Sequence, residues 1–335
     1  MKGLFYILFL PIILLSCSNG GEEIDVFPPV ISVDSLQNTD FVSTLNENLK
    51  PNQNQIYCST ISYAWFELKE GLKGKIKSNS KSIMRLNMAD DYQNSLAPHE
   101  ISTSIKIEGS NINASAYFRK SPPFTFKFIR NLYPLKFNNV EVESFGLNGY
   151  NDYDIKKQID IIYYKNDHDF ALKLIPKDTM HEIFIYLPKK NNFKSIKGVL
   201  KSLQKKIDKS EKIKITDKNS WKYNFLKEDK FSMPILSYHL EKDYLDIAGL
   251  NFTVNNQDYF IEKCYQRIAF ILDESGTEIE SDAEIMYSTE EIDEDLPQPK
   301  NLILDQPFFI MLKRTDSDNP YLAMWIDNNE LMENK

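Results

Sequence analysis

The segment from Gln266 to Leu296 places the tightest constraint on what this chain can fold into. Gln266–Leu272 (QRIAFIL) reads as a buried strand, and Asp273-Glu274-Ser275-Gly276 supplies a turn. From there Thr277, Ile279, Ser281, Ala283 and Ile285 alternate with Glu278, Glu280, Asp282 and Glu284. A period of two puts the small or apolar set on one face of a strand and the acids on the other. Ser288–Leu296, with acids at five of its nine positions, reads as exposed loop. A strand-competent stretch between a buried strand and an exposed loop describes a mobile element able to join a sheet.

The N-terminus stands apart from the fold. Met1-Lys2 is a short basic start, Leu4–Leu15 is apolar with one proline, and Leu14-Leu15-Ser16-Cys17 follows. The run is too short and too early for a spanning helix and reads as an export signal over residues 1–16. Ser16-Cys17 after two leucines is similar to the lipobox of bacterial lipoproteins, which implies that Cys17 becomes N-terminal and acylated, tying the chain to the lipid bilayer. No aspartate follows Cys17, which points to the outer membrane of a two-membrane cell envelope. Glu22-Glu23 resembles an acidic surface-export signal. Residues 17–54, rich in Asn, Pro, Ser and Asp, read as a flexible tether, and residues 55–335 as the folded domain.

A net charge of −8, with no basic patch carrying interleaved aromatics, argues against a nucleic-acid partner. Besides Cys17 the chain has Cys58 and Cys264, which can pair in an exported protein or remain as buried thiols.

Ser59–Leu72 carries Ile61, Ala64, Trp65, Leu68 and Leu72 at helical spacing, with Ser59 or Thr60 as its cap. Strands are expected at Ser102–Glu108, Ala114–Phe118, Ile159–Tyr164, Phe170–Ile175, Glu182–Leu187, Met233–Leu240, Gln266–Leu272, Pro307–Lys313 and Tyr321–Ile326. A second amphipathic helix is expected over Phe193–Ile207. Strands outnumber helices without βαβ alternation, so the class is α+β.

Enzyme chemistry finds no foothold. Eleven glycines form no phosphate-binding loop or dinucleotide fingerprint. The histidines His99, His168, His181 and His239 are scattered, without zinc spacing. Asp167-His168-Asp169 reads as a surface loop before a strand, and Asp316-Ser317-Asp318-Asn319-Pro320 as a hairpin turn without the glycine and distal glutamate of a calcium loop. No metal or cofactor is expected, and no enzymatic activity.

Taken in order, several segments resemble the serpins, a family of conformationally metastable protease inhibitors. Asp273-Glu274-Ser275-Gly276-Thr277-Glu278 looks like the hinge at the base of the serpin reactive loop. Asp305–Met311 is similar to the strand that follows that loop, and Asn319–Trp325 to the closing strand. Phe231–Ser237 is similar to the strand before a helix that starts near a Tyr-aliphatic pair, here Tyr244-Leu245. Phe170–Leu187 and the Phe193 helix match the strand–hairpin–strand–helix order. Ile56–Ser62 resembles the opening of the shutter helix, with Ser59 and Ser62 as shutter residues and Thr60 in place of proline. Asn113–Phe118 is similar to the central-sheet strand beside it, which makes Asn113 a third shutter residue.

The resemblance implies large mixed sheets with a reduced set of helices and an exposed reactive-centre loop over residues 276–300, in a monomer. It implies a mechanism too. A protease cuts the loop, and the loop then enters the sheet as a new central strand, carrying the acylated enzyme with it. Glu274, Gly276, Thr277, Ile279, Ser281 and Ala283 would form the hinge. With Thr277 inward the acids fall outside; the opposite phase would bury unpaired carboxylates at several kcal/mol each. Ile279, Glu280, Ser281 and Asp282 replace the family's run of alanines, a bulkier hinge. Counting from Gly276 puts the cut after Glu290, and counting back from Pro307 puts it after Asp295. Both imply an extracellular or periplasmic protease with a basic specificity pocket, since a trypsin-like pocket repels an acid. The implied role is a membrane-anchored inhibitor; the alternative is a non-inhibitory binding module of the cell envelope on the same fold.

Overall fold

The computed structural model describes residues 27–148, 153–214, 217–277 and 298–334. In chain order β1 (Ile31–Ser32), β2 (Thr39–Val42) and β3 (Asn54–Cys58) precede α1 (Thr60–Leu72) and α2 (Lys81–Met88). Then come β4 (Ser102–Glu108), β5 (Asn111–Lys120), β6 (Phe124–Phe126), β7 (Ile129–Arg130), β8 (Leu135–Phe137), β9 (Val140–Val142) and β10 (Ser144–Asn148). The short α3 (Tyr153–Lys156) leads into β11 (Ile159–Asn166), β12 (Asp169–Leu174), β13 (His181–Leu187) and α4 (Ile196–Lys214). Last are β14 (Lys230–Pro234), β15 (Leu236–Asp243), β16 (Asn251–Val254), β17 (Gln257–Leu272), β18 (Gly276–Thr277), β19 (Asn301–Ile303), β20 (Phe308–Arg314) and β21 (Pro320–Ile326).

Three sheets organise these strands. A six-stranded sheet, called sheet A below, runs β1-β15-β17-β5-β4 with β16 paired to β17. A seven-stranded sheet, sheet B, runs β11-β12-β13-β20-β21-β3-β2, and a four-stranded sheet, sheet C, runs β19-β14-β10-β7. Sheet B is buried on both faces. Ile183, Ile185, Phe308, Ile310, Leu322 and Met324 enter the main core, while Tyr186, Phe309, Met311, Ala323 and Trp325 pack under α4. That is why β20 and β21 read as unbroken apolar runs rather than alternating ones. In α4, Ile196, Val199, Leu203 and Ser210 are buried, and Lys206 turns in toward Asp169.

Helix α1 lies beneath sheet A against β4, β5 and β17. Ile61, Trp65, Leu68 and Leu72 enter the core, each fully buried apolar side chain contributing about 1.5–3 kcal/mol. Lys73, left-handed at φ 51°, ends the helix, and its N–H bonds the Glu70 carbonyl. In sheet C, Gly146 of β10 faces the Phe231 backbone so closely that a Cβ would collide with that carbonyl.

Three expectations are corrected. The tether does not run to Asn54: β1 pairs with β15 and β2 with β3, because Val33, Phe41, Val42 and Leu45 supply apolar anchors inside a polar stretch. The strand expected over Met233–Leu240 is two strands in two sheets, divided at Ile235; Pro234 has no N–H to continue the ladder. The second helix starts and ends later than Phe193–Ile207. In addition, Asp169 is not surface loop: it is buried and bonded to Lys206 Nζ at 2.9 Å and the Tyr163 hydroxyl at 3.0 Å. Cys58 and Cys264 are both free and buried, so they are thiols.

Candidate functional site: a parallel seam and the segment that leaves it

At the centre of sheet A, β17 and β5 are parallel neighbours, paired from Phe260↔Asn111 to Phe270↔Lys120 with one register shift between Ile261 and Lys263. Each has an antiparallel partner on its other side, β15 for β17 and β4 for β5. This seam is where a strand of opposite direction fits, since it would be antiparallel to both neighbours. The exchange replaces one parallel pairing by two antiparallel ones, the more stable kind per residue.

The inner side of the seam is small. Ala114 and Ala116 of β5 are buried opposite Cys264 and Gln266. Gln266, fully buried, donates from Nε2 to Thr60 Oγ1 at 2.9 Å and the Cys58 carbonyl at 3.2 Å, and accepts from the Tyr244 hydroxyl at 2.7 Å. It joins β17, the foot of α1 and the turn after β15. Sequence reasoning missed it, although a glutamine inside an apolar strand was the available signal.

The three expected shutter residues are divided. Ser59 and Ser62 are buried at the start of α1 next to this network, and Ser62 lies against the Tyr57 phenol. Ser59 is in αR conformation, its hydroxyl neither caps the helix nor finds a hydrogen-bond partner, and its N–H bonds the Tyr321 carbonyl at 2.9 Å. Asn113 is not part of the network: it stands on the outer face and donates to Glu262 at 2.9 Å. On β5, Ala114 and not Asn113 points inward.

Beyond Leu272 the chain keeps its direction. The Phe124 N–H donates to the Ser275 carbonyl at 2.8 Å and the Phe128 N–H to the Glu274 carbonyl at 3.0 Å. Gly276 and Thr277 then pair in parallel with Phe124 and Phe126 as β18 and β6. The parallel pairing therefore continues into Gly276 and Thr277, the first residues of the expected hinge. Gln158 pins β6 by donating to the Phe126 carbonyl at 2.9 Å and accepting from its N–H at 2.8 Å. Beneath, Phe124, Phe128, Phe145 and Phe231 interlock, the first two edge to face at 4.6 Å. Glu274 reaches Arg130 at 3.6 Å, and Arg130 also binds Glu143 and Glu333, so one guanidinium ties the hinge base to the C-terminal segment. Ile279, Ser281, Ala283, Glu290 and Asp295 lie outside the described residues, as does Cys17.

The far side of this segment is fastened as firmly. Lys300 and Asp229 are fully buried as an ion pair. Lys300 Nζ also donates to the Trp221 carbonyl at 3.0 Å and sits over the Trp221 ring at 5.5 Å. Burial pushes the Lys300 ammonium down, against the pull of Asp229. From the next residue on, β19 pairs in parallel with β14. The fold thus holds both ends of residues 278–297 on separate sheets.

No family model and no curated protein matches the chain. Among solved structures, a tumour-suppressing serpin is matched at 13% identity and TM-score 0.35, over 64% of this chain and 56% of that one. Maspin is matched at 16% identity and TM-score 0.37, over 78% and 66%. Native protease nexin-1 solved with heparin is matched at 10% identity and TM-score 0.39, over 82% and 67%. The chain therefore spans between about half and two thirds of the length of the structures it matches. Residues 273–277 lie at the end of the central strand β17, Asp305–Met311 and Asn319–Trp325 fall largely in the paired strands β20 and β21, and the helix from Thr60 lies beneath sheet A. On its own strand order the chain, among the described residues, has an α+β fold of large mixed sheets with few helices.

Proposed function

We infer that the protein is a serpin-like protease inhibitor that works by loop cleavage and strand insertion. The observation that carries this reading is the parallel β17/β5 seam, with antiparallel partners on either side and a strand-competent segment leaving its end. The alternation from Thr277 to Ile285 supports an insertable strand with its acids outward. The acylated protease would be one that accepts Glu290 or Asp295. Leu14-Leu15-Ser16-Cys17 supports acylation at Cys17 and attachment to the cell envelope by lipid, and no helix among the described residues is long and apolar enough to cross a membrane.

A glutamate-specific serine protease added to the chain tests this. The expected results are a covalent complex that survives SDS and a large rise in melting temperature of the cut chain. A cut between residues 278 and 297 that leaves the melting temperature unchanged overturns it. Incorporation of labelled palmitate, lost in Cys17→Ala, tests the anchor.

One observation favours a second reading, a non-inhibitory envelope module on the same fold. The seam is closed along its full length, and Gly276-Thr277 are already paired with Phe124–Phe126. Insertion must break that pairing first. Under this reading the cut chain keeps its melting temperature and traps no enzyme.

A further inference from the structure

The outer face of sheet A carries a contact that the insertion reading does not explain. His239 of β15, Ala269 of β17 and Arg119 of β5 form one row across three strands, His239 opposite Ala269 and Ala269 opposite Arg119. All three lie on the face opposite the core, where Tyr238, Leu240, Ile268, Phe270 and Phe118 point inward. In the next row, Glu241, Arg267 and Tyr117 are partly exposed. Ala269, by contrast, is fully buried.

The start of the folded chain covers this row. The Phe27 ring lies beneath the Arg119 guanidinium at 4.8 Å and meets the His239 ring edge-on at 6.2 Å. His239 Nδ1 lies 3.1 Å from the Pro28 carbonyl, in position to donate to it. Three residues later the same segment becomes β1 on the free edge of β15. Phe27 thus touches strands on both sides of β17 and spans the seam.

We propose that Phe27-Pro28 is a strap that holds the β17/β5 seam shut, so that release of the N-terminal segment governs how readily sheet A opens. The geometry forces this coupling. A strand entering the seam moves β5 away from β17 by one strand spacing, about 4.8 Å. Phe27 cannot then remain on both His239 and Arg119, because a cation–π contact fades beyond about 6 Å. Opening the seam and keeping the strap are mutually exclusive. Phe27 also lies within a tether's reach of Cys17, at most about 36 Å of extended chain. Tension passed along residues 18–26 would therefore reach the strap before any described element. The value of the device to an inhibitor rests on the insertion reading; the strap itself does not.

Native-state hydrogen exchange on the full chain tests the strap. In Phe27→Ala the amides of Ala114–Lys120 in β5 are expected to exchange at least about tenfold faster than in wild type, with β12 and β13 unchanged. Phe27→Tyr, which keeps the ring, should exchange as wild type. Arg119→Gln, which removes the contact from the far side of the seam, should reproduce Phe27→Ala. Seam exchange within about twofold of wild type in both variants overturns the proposal. Melting temperature after loop cleavage separates the two ideas. Faster seam exchange without a melting gain keeps the strap and removes insertion, whereas unchanged exchange with a gain does the reverse.

Discussion

Gln266 Nε2 donates to Thr60 Oγ1 at 2.9 Å, so the strand beside the seam and the helix beneath it share one buried hydrogen bond. The same amide accepts from the Tyr244 hydroxyl, and its Nε2 also reaches the Cys58 carbonyl. A leucine fills the volume but satisfies none of these groups. Gln266→Leu should therefore destabilise the fold by about 2–6 kcal/mol, since two buried polar groups lose their partner at about 1–3 kcal/mol each. Urea unfolding reads this directly. An unchanged midpoint would mean that the network reorganises without Gln266.

His181 gives the fold a defined acid sensitivity. It is buried, with Lys120 Nζ at 2.9 Å, Glu100 at 3.1 Å, and Asp178 at 3.3 Å; Arg314 bonds Glu100. Burial, and then the Lys120 charge, lower its pKa below the ordinary 6.5. The unfolded chain thus binds this proton more readily than the folded one, and stability rises with pH across that window. The contribution is complete above about pH 6.5 and falls away as pH drops toward the folded pKa. Glu100 acts in a lower window. Burial opposes its charged form, but the Ala97 N–H, Arg314 and His181 outweigh it and lower its pKa. Its contribution is present above pH 4.5 and lost below. Urea midpoints between pH 5 and 7 should slope upward in wild type and flatten in His181→Phe; an unchanged slope in the variant assigns the effect elsewhere.

What the sequence revealed and what it concealed follow from range. The bounds of β4 and the buried face of α1 are local periodicities, and both were legible from Ser102–Glu108 and from Ile61, Trp65 and Leu68. The seam is not local: β5 and β17 come together from distant parts of the chain, and no window contains both. The phase of β5 is set by what lies beneath it. Asn113 therefore stands on the outer face, and Ala114 and Ala116 are the residues that fit above α1. Phe27 and β2 were hidden by composition, because a few apolar anchors in a polar stretch suffice when a ready-made sheet receives them. Of the alternation after Gly276, Thr277 alone is among the described residues, and it is paired in β18.

The two thiols should be inert in the folded chain. Cys58 is wholly enclosed, with Sγ 3.4 Å from Thr60 Oγ1, and burial pushes its pKa up to about 11. Burial also raises Cys264 to about 12. Thiolate is the reactive form, so neither group offers it at neutral pH. A disulfide reagent should label neither in the native state and both in denaturant. Native labelling at Cys264, on the seam strand, would reveal opening of sheet A on the labelling timescale.

The buried pair at the far end of the loop segment should be costly to break and cheap to replace. Lys300→Met leaves the Asp229 carboxylate in a dry site, still bonded to the N–H groups of Lys300 at 2.8 Å and Leu226 at 2.7 Å but without its cation. Removing one partner of a buried pair costs about 3–5 kcal/mol, while replacing both by neutral groups is often near neutral. The double variant Lys300→Met with Asp229→Asn should recover most of the loss, because the asparagine carbonyl can accept from one of those N–H groups. Its Oδ1 and Nδ2 cannot satisfy both, so the recovery stays partial. Urea midpoints of the single and double variants close the cycle. The consequence reaches the function, because the Lys230 N–H bonds the Lys300 carbonyl at 2.9 Å and β19 begins at the next residue. In Lys300→Met alone, β19 should leave β14 more readily, and exchange at Leu302 and Ile303 should quicken ahead of the rest of sheet C. Equal loss in both variants would show that the site needs charge rather than satisfied hydrogen bonds.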